Sequence, residues 1–363
     1  MARRPEDNPQ GLTSDGTAAG ADGGTTPSSQ GSPLPVGVIG CGRMGRLHAR
    51  VYSQMPQVRV VGVHDANPDS ASATAQEYGG RAFASLEEML PHVKAVSIAV
   101  PTRFHADVAE QCMRRGVSCL VEKPLAKDVA EGRRIVEAGR RAGVTVQVGH
   151  IERFNPAVRA MTHLRMAPRF IEVIRISPMT FRSIDVGVVL DMMIHDIDIV
   201  LKLAGSPATK IEAVGVSVIG DHEDICNARL TFANGCVANV TASRLALKTE
   251  RKLRVFSRDA YVSVDYQKRY GVVVRRTGNL DSIREVADRI RRGDVKDMSE
   301  LNYADLVQVE ELEISDTEPL RAQLESFVSA VQNRKPPEVS GEDGLAAVET
   351  AVRIVEAVGK QAL

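Results

Sequence analysis

The chain has 363 residues, with 46 basic and 46 acidic side chains and a formal net charge of zero. Such a length exceeds one comfortable core and predicts two domains, while the balanced charge gives no footprint for nucleic acid or an anionic membrane surface. Five scattered cysteines, Cys41, Cys112, Cys119, Cys226 and Cys236, lack metal-ligand spacing and are odd in number, so neither a metal centre nor a disulfide framework is expected and a reducing cytoplasm is.

Residues 1–34 are rich in Gly, Ser, Thr, Pro and Ala; they offer too little apolar surface to offset ordering entropy and are expected to form a disordered tail. From Pro35 the pattern changes. A strand at 36–39 runs into Gly40-Cys41-Gly42-Arg43-Met44-Gly45 and then a helix at 46–55. Gly40 permits the tight turn, Gly42 lets a pyrophosphate approach the backbone, and Gly45 allows close helix packing. The amides of Arg43 and Met44 then face the anion at the helix N-terminus. The next strand, 58–64, ends at Asp65, where a carboxylate accepts from ribose hydroxyls and repels a 2′-phosphate, so NAD is favoured over NADP.

Helices at 69–78 and 86–90 and a buried strand at 95–100 follow. Pro101-Thr102 closes that strand, and His105 opens a helix at 106–115; Thr102 and His105 either face the cofactor or, with Arg103, belong to a capping loop. The strand at 117–121 ends in Val121-Glu122-Lys123-Pro124, because proline cannot continue a ladder. A helix at 129–142 and a strand at 144–148 complete the alternation. The fold expected is an α/β doubly wound parallel sheet over 35–150, with Lys123 on the same C-terminal edge as the glycine turn.

Gly149-His150-Ile151-Glu152-Arg153-Phe154-Asn155-Pro156 leaves this domain, Asn155 serving as N-cap and Pro156 as first helical residue. Residues 151–363 are expected to form an α+β domain with a large, mostly antiparallel open sheet. Its strands are predicted at 169–177, 210–219, 224–232, 236–242, 253–256, 261–265 and 271–274, and a helix at 188–204. No run reaches the roughly 20 apolar residues of a membrane span; the richest, 186–203, is broken by Asp191, His195, Asp196, Asp198 and Lys202. Asp191 and His195, four apart, share a helix face that Asp198 and Lys202 continue. Oxidising a secondary alcohol needs a base of pKa near about 7 to take the hydroxyl proton as hydride leaves, and a histidine held by a carboxylate with a lysine opposite provides one. The charged stretch 280–312 reads as an exposed insertion.

These motifs together resemble the Gfo/Idh/MocA oxidoreductases over nearly all of Pro35 to Leu363. They are Gly40 to Gly45, Val121-Glu122-Lys123-Pro124-Leu125-Ala126, Asp191 with His195 and Asp198, Pro319-Leu320 with Phe327, and Glu338-Val339-Ser340-Gly341-Glu342-Asp343-Gly344. The stretch 149–156, taken with 185–198, resembles the nucleotide-sugar branch, the UDP-N-acetylglucosamine 3-dehydrogenases. The resemblance implies an NAD-dependent oxidation of a sugar ring hydroxyl, with catalytic roles for Lys123, His195 and Asp191. Cofactor contacts are expected from Gly40, Gly42, Arg43, Met44, Gly45, Asp65, Pro101, Thr102, His105, Glu122 and Lys123. Substrate contacts are expected from Lys123, Arg153, Asn155, Arg182, Asp191 and His195. Arg153, Arg175 and Arg182 are available to a diphosphate or are surface arginines. The resemblance further implies that helices within 318–363 return to the nucleotide domain, and the uncovered sheet face points to a homodimer or homotetramer. Alternatives are an inositol or free-sugar dehydrogenase, a non-catalytic NAD-binding regulator, and a glycosidase that uses NAD transiently.

Overall fold

In the computed structural model, which describes residues 32–164, 166–179, 186–276, 280–294 and 307–359, the short apolar runs of the first half lie side by side. β1 (Leu34–Ile39), β2 (Val58–His64), β3 (Arg81–Ala82), β4 (Ala95–Ile98), β5 (Ser118–Glu122) and β6 (Val146–Gly149) form one sheet in the order β3-β2-β1-β4-β5-β6. Every pairing in it is parallel. α1 (Arg43–Ser53), α2 (Pro68–Tyr78), α3 (Leu86–Met89), α4 (His105–Arg114) and α5 (Val129–Ala142) alternate with these strands. β4 and β5 are buried along their whole length, as strands covered on both faces must be. The strand order reverses beside β1, which opens the crevice that such sheets use for ligands. β1 begins at Leu34, so the last residue of the expected tail belongs to the strand; residues 1–31 lie outside the described residues. The two-residue β3 is too short to leave a pattern in the sequence.

A 3₁₀ turn at Ile151–Phe154 and α6 (Pro156–Thr162) lead into an eight-stranded sheet. Its strands are β7 (Phe170–Ile176), β8 (Ala208–Val216), β9 (Ile225–Phe232), β10 (Val237–Ser243), β11 (Glu250–Phe256), β12 (Ala260–Asp265), β13 (Tyr270–Arg276) and β14 (Val307–Glu311). The order is β14-β13-β12-β11-β7-β10-β9-β8. Only β7 and β10 pair in parallel, which the long connection after β7 through α7 (Ile194–Ala204) permits. The exposure expected over 280–312 is seen in β14, but the stretch is no mere insertion: behind α8 (Leu280–Arg292), the chain returns as an edge strand paired with β13. Glu310 and Glu311 stand exposed on it, and charge on an edge deters further pairing.

From Pro33 onward the chain is one compact unit. α9 (Pro319–Asn333) sets Leu320, Leu324, Phe327 and Val328 against Val36 and Val38 of β1 and Tyr52 of α1. α10 (Gly341–Gly359) contacts α5, α7 and β8, and its Ala347, Val348, Ala351 and Ile354 join the core shared by both sheets.

Candidate active site

The glycine turn stands where β1 meets α1. Gly40 has φ +91°, a conformation costly for a side chain, and a Cβ there would lie 2.7 Å from the Ala99 backbone. A Cβ on Gly45 would lie within bonding distance of the Gly40 carbonyl oxygen, so α1 can start this close to the turn only with glycine. Gly42 faces open space. First-turn amides have no intrahelical acceptor, and α1 has neither a side-chain cap nor an acid in its first turn. Arg43 and Met44 therefore present donors to an anion. Asp65 is fixed beside them, its Oδ2 accepting from the Cys41 amide at 2.6 Å and its Oδ1 from the Asn67 amide at 2.8 Å. Open glycine, free helix amides and a held carboxylate suit the pyrophosphate and ribose of a dinucleotide. Pro101 and Thr102 follow β4 on the same edge.

Lys123 leaves β5 on this edge, its peptide to Pro124 being cis. Its Nζ donates to the Asp191 carbonyl at 2.8 Å and to Asp191 Oδ1 at 3.3 Å, tying the end of the parallel sheet to the helix below the second sheet. That helix is not the uniform α-helix expected at 188–204. Val189–Met193 is a π turn, with the Ile194 amide bonded to the Val189 carbonyl, and α7 continues from it. The extra residue in the turn takes Asp191 off the α-helical stripe, while His195, Asp198 and Lys202 stay within the regular α7. Asp191 goes to Lys123, Asp198 goes to Arg153, and Lys202 is exposed; none of them orients His195.

His195 lies on the first turn of α7. Burial, and then the positive Lys123 and Arg175, hold its imidazole well below the usual histidine range, so the ring is neutral at pH 7 with a free lone pair but is a weaker base than the pKa near about 7 expected from the sequence. Its Nδ1 is buried without a hydrogen-bond partner among the described residues. His150, wholly buried, stands edge-on to it with ring centroids 6.5 Å apart at 84°.

Several expected contacts are redirected. His105 is buried, with Nε2 2.9 Å from the Val100 carbonyl oxygen and Nδ1 3.0 Å from that of Pro124; the ring is turned to the loops, where its single N–H donates to one of these carbonyls, and burial lowers its pKa against their pull. The Glu122 carboxylate turns away towards α1, where His48 Nε2 lies 3.1 Å from its Oε1. Burial opposes its charge, but His48 and Lys123 outweigh that and hold the acid below the usual range. Arg153 is corrected from a phosphate ligand to a structural cation. It is buried and bidentate to Asp198 at 2.7 and 2.8 Å. Arg175 is likewise bidentate to Asp196 at 2.7 and 2.8 Å and donates to Glu152 at 3.0 Å. Asn155 caps α6 through the Ala157 amide at 3.0 Å and donates to Glu152 at 3.0 Å, which leaves its side chain committed. Arg182 lies outside the described residues. His48 and His150 are not among the residues expected from the sequence. His150 was reachable by register, because Glu122 pairs with Gly149, so the residues following them, Lys123 and His150, leave the sheet side by side.

Comparison with known proteins places the fold in a family. The family profile "Oxidoreductase family, NAD-binding Rossmann fold" matches residues 34–150, and "GFO/IDH/MocA C-terminal domain" matches 171–263. The UDP-N-acetylglucosamine 3-dehydrogenase of Acidithiobacillus ferrooxidans is 34% identical over 327 residues, covering 90% of this chain and 97% of that protein. Its solved structure aligns with a TM-score of 0.79 at 32% identity over 90% of this chain and 98% of its own. The inositol 2-dehydrogenase of Rhizobium meliloti is 27% identical over 90% of this chain and 97% of its own length. The chain therefore belongs to the GFO/IDH/MocA family of oxidoreductases, with a Rossmann fold that binds NAD.

Proposed function

We propose that the chain oxidises a ring hydroxyl of a nucleotide-linked amino sugar to a ketone, with UDP-N-acetylglucosamine at C3 as its specific substrate. The observation that carries this reading is the bond from Lys123 Nζ to Asp191 across the two sheets. It gathers a cation, a carboxylate and, one turn on, a neutral histidine beside the glycine turn. Bound NAD supplies the hydride acceptor. His195 takes the hydroxyl proton on the ring nitrogen that faces substrate, while the carbon loses hydride and the C–O bond becomes C=O. Lys123 donates to the substrate oxygen and stabilises the negative charge that develops there; Asp191 holds the ammonium in place. Asp65 selects NAD over NADP by meeting the ribose hydroxyls.

The choice of substrate is supported by the relative from A. ferrooxidans, whose whole length this chain nearly spans. Arg182 keeps its proposed role towards the diphosphate, whereas Arg153 and Arg175 are spent on buried acids. The five buried, unpaired cysteines suit a reducing cytoplasm, and no described helix is long and apolar enough to cross a membrane. On the outer face of the second sheet Phe170, Phe256 and Tyr261 lie in a row with centroids 5.7 and 4.7 Å apart; we take this face for self-association, which sedimentation equilibrium would report as a dimer or tetramer.

The test is NADH formation from NAD with a panel of UDP-sugars, free sugars and inositols. UDP-N-acetylglucosamine should respond, and Lys123→Ala should lower its turnover by about 10²–10³-fold. Unchanged turnover in that variant removes Lys123 from the chemistry. A response to myo-inositol without one to UDP-sugars favours the activity named for the R. meliloti relative. Tight NAD binding without any NADH favours a regulator.

A further inference from the structure

The three acids of the π turn and α7 are all committed elsewhere. Asp191 is bonded to Lys123, Asp196 to Arg175 and Asp198 to Arg153. A histidine acting as base through one ring nitrogen must keep its proton on the other, and that proton needs an acceptor to fix the tautomer. Here Nδ1 of His195 is buried with no partner among the described residues, and the same holds for both nitrogens of His150. The two rings stand edge to face at 84° with centroids 6.5 Å apart. No direct N–H···N bond joins them among the described residues, but one water making two hydrogen bonds of about 2.8–3.0 Å can bridge rings at this separation, and buried nitrogens without a protein partner are the groups that such a water satisfies.

We propose that His150 is the positioning residue for His195. Through a single bridging water it accepts the Nδ1–H of His195 and so keeps Nε2 unprotonated towards the substrate hydroxyl. This rests on His195 being the base, as proposed above. His150 can accept because it is neutral: burial lowers its pKa, and Arg153 and Lys123 lower it further against the pull of Asp198 and Glu122. His150 is placed for this task by the fold. It follows β6 directly, its amide bonds back to the Val148 carbonyl at 2.9 Å, and its own carbonyl accepts from the Arg153 amide at 3.0 Å. Both sides of its backbone are thus held, which fixes the ring against α7. When His195 takes a proton at Nε2, its Nδ1–H continues to donate towards His150, and no bond in the relay has to break.

Two substitutions in the full-length protein test this. His150→Phe keeps a flat ring against His195 and removes the acceptor; His150→Gln keeps an acceptor without the ring. Imidazole ¹⁵N spectra of the histidine-labelled protein, assigned with a His195 variant, should show His195 protonated at Nδ1 in the wild type. They should show a mixture or the Nε2-protonated form in His150→Phe, and the wild-type form in His150→Gln. Turnover should fall about 10–100-fold in His150→Phe with KM unchanged, and recover in His150→Gln. An unaltered His195 tautomer in His150→Phe overturns the proposal, as does a loss of turnover in His150→Gln equal to that in His150→Phe. Should His150→Phe fail to fold, His150→Leu, which also lacks an acceptor, takes its place: a shifted His195 tautomer there with a retained one in His150→Gln upholds the proposal, and an unaltered tautomer in His150→Leu overturns it. The spectra do not depend on substrate, so failure of the sugar assignment leaves this result readable.

Discussion

Arginine at position 153 shows how one side chain can satisfy a motif and still serve another purpose. Its guanidinium and the Asp198 carboxylate are 5% and 1% exposed, and Asp343 stands 3.7 Å away on the other side. Burying such a pair costs desolvation that its own attraction only roughly repays, but removing one partner strands the other charge. Arg153→Met should therefore lower unfolding stability by about 3–5 kcal/mol in urea titrations and leave KM for the sugar nucleotide near its original value. A role towards the diphosphate demands the reverse, a raised KM with little loss of stability. The sequence could not distinguish these outcomes, because an arginine bound to a buried acid 45 positions away has the same local context as one facing solvent. Lys123, by contrast, was legible: proline ends its strand, and the strand's end is where such sheets present their chemistry. His195 was legible as a residue but not in its partners, since the π turn that displaces Asp191 has no sequence signature separate from that of an α-helix and Asp198, three residues on in the same helix, is taken by Arg153.

The turn between β1 and α1 illustrates the opposite case, in which spacing alone specified the geometry. Three glycines at fixed intervals, a strand before and a helix after leave little freedom, and Gly45 meets the Gly40 carbonyl closely because nothing larger than hydrogen fits between them. A methyl group must push backbone from backbone, so Gly45→Ala should tilt the start of α1 and pull the Arg43 and Met44 amides off the pyrophosphate. NAD affinity, followed by titration of the bound cofactor, should weaken by at least about tenfold, the equivalent of 1.4 kcal/mol; affinity within twofold of wild type would falsify the tight approach as a requirement. Where an element carried no such constraint, the sequence said less. β14 was hidden by its own charges, because an exposed edge strand is written in glutamates for the same reason that a solvated loop is. β3 has only two residues, and its existence depends on the pairing of Gly62 and Val63 with Arg81 and Ala82 rather than on any pattern of its own.

The two sheets meet over a layer of buried polar groups, and this arrangement has a consequence for folding that no single contact displays. His105, His150 and His195 are each held below the ordinary histidine pKa, in every case first by burial. The unfolded chain titrates these side chains near about 6.5, so below that pH it binds protons which the folded chain refuses. Stability then rises with pH wherever the unfolded state holds more protons. The contribution is complete above about pH 6.5 and is lost as pH falls through the depressed folded values. Glu122 and Glu152, which are also depressed, act in the same direction but only on approaching the ordinary carboxylate range near about 4.3. Between pH 7.5 and 5.5 the histidines dominate, and the urea midpoint should hold nearly level down to about pH 6.5 and then fall towards pH 5.5. His150→Gln, which has no proton to gain, should flatten part of the slope. A midpoint that is level or rising towards pH 5.5 would mean that the folded chain takes up as many protons as the unfolded one, so that burial does not hold these imidazoles below their ordinary range.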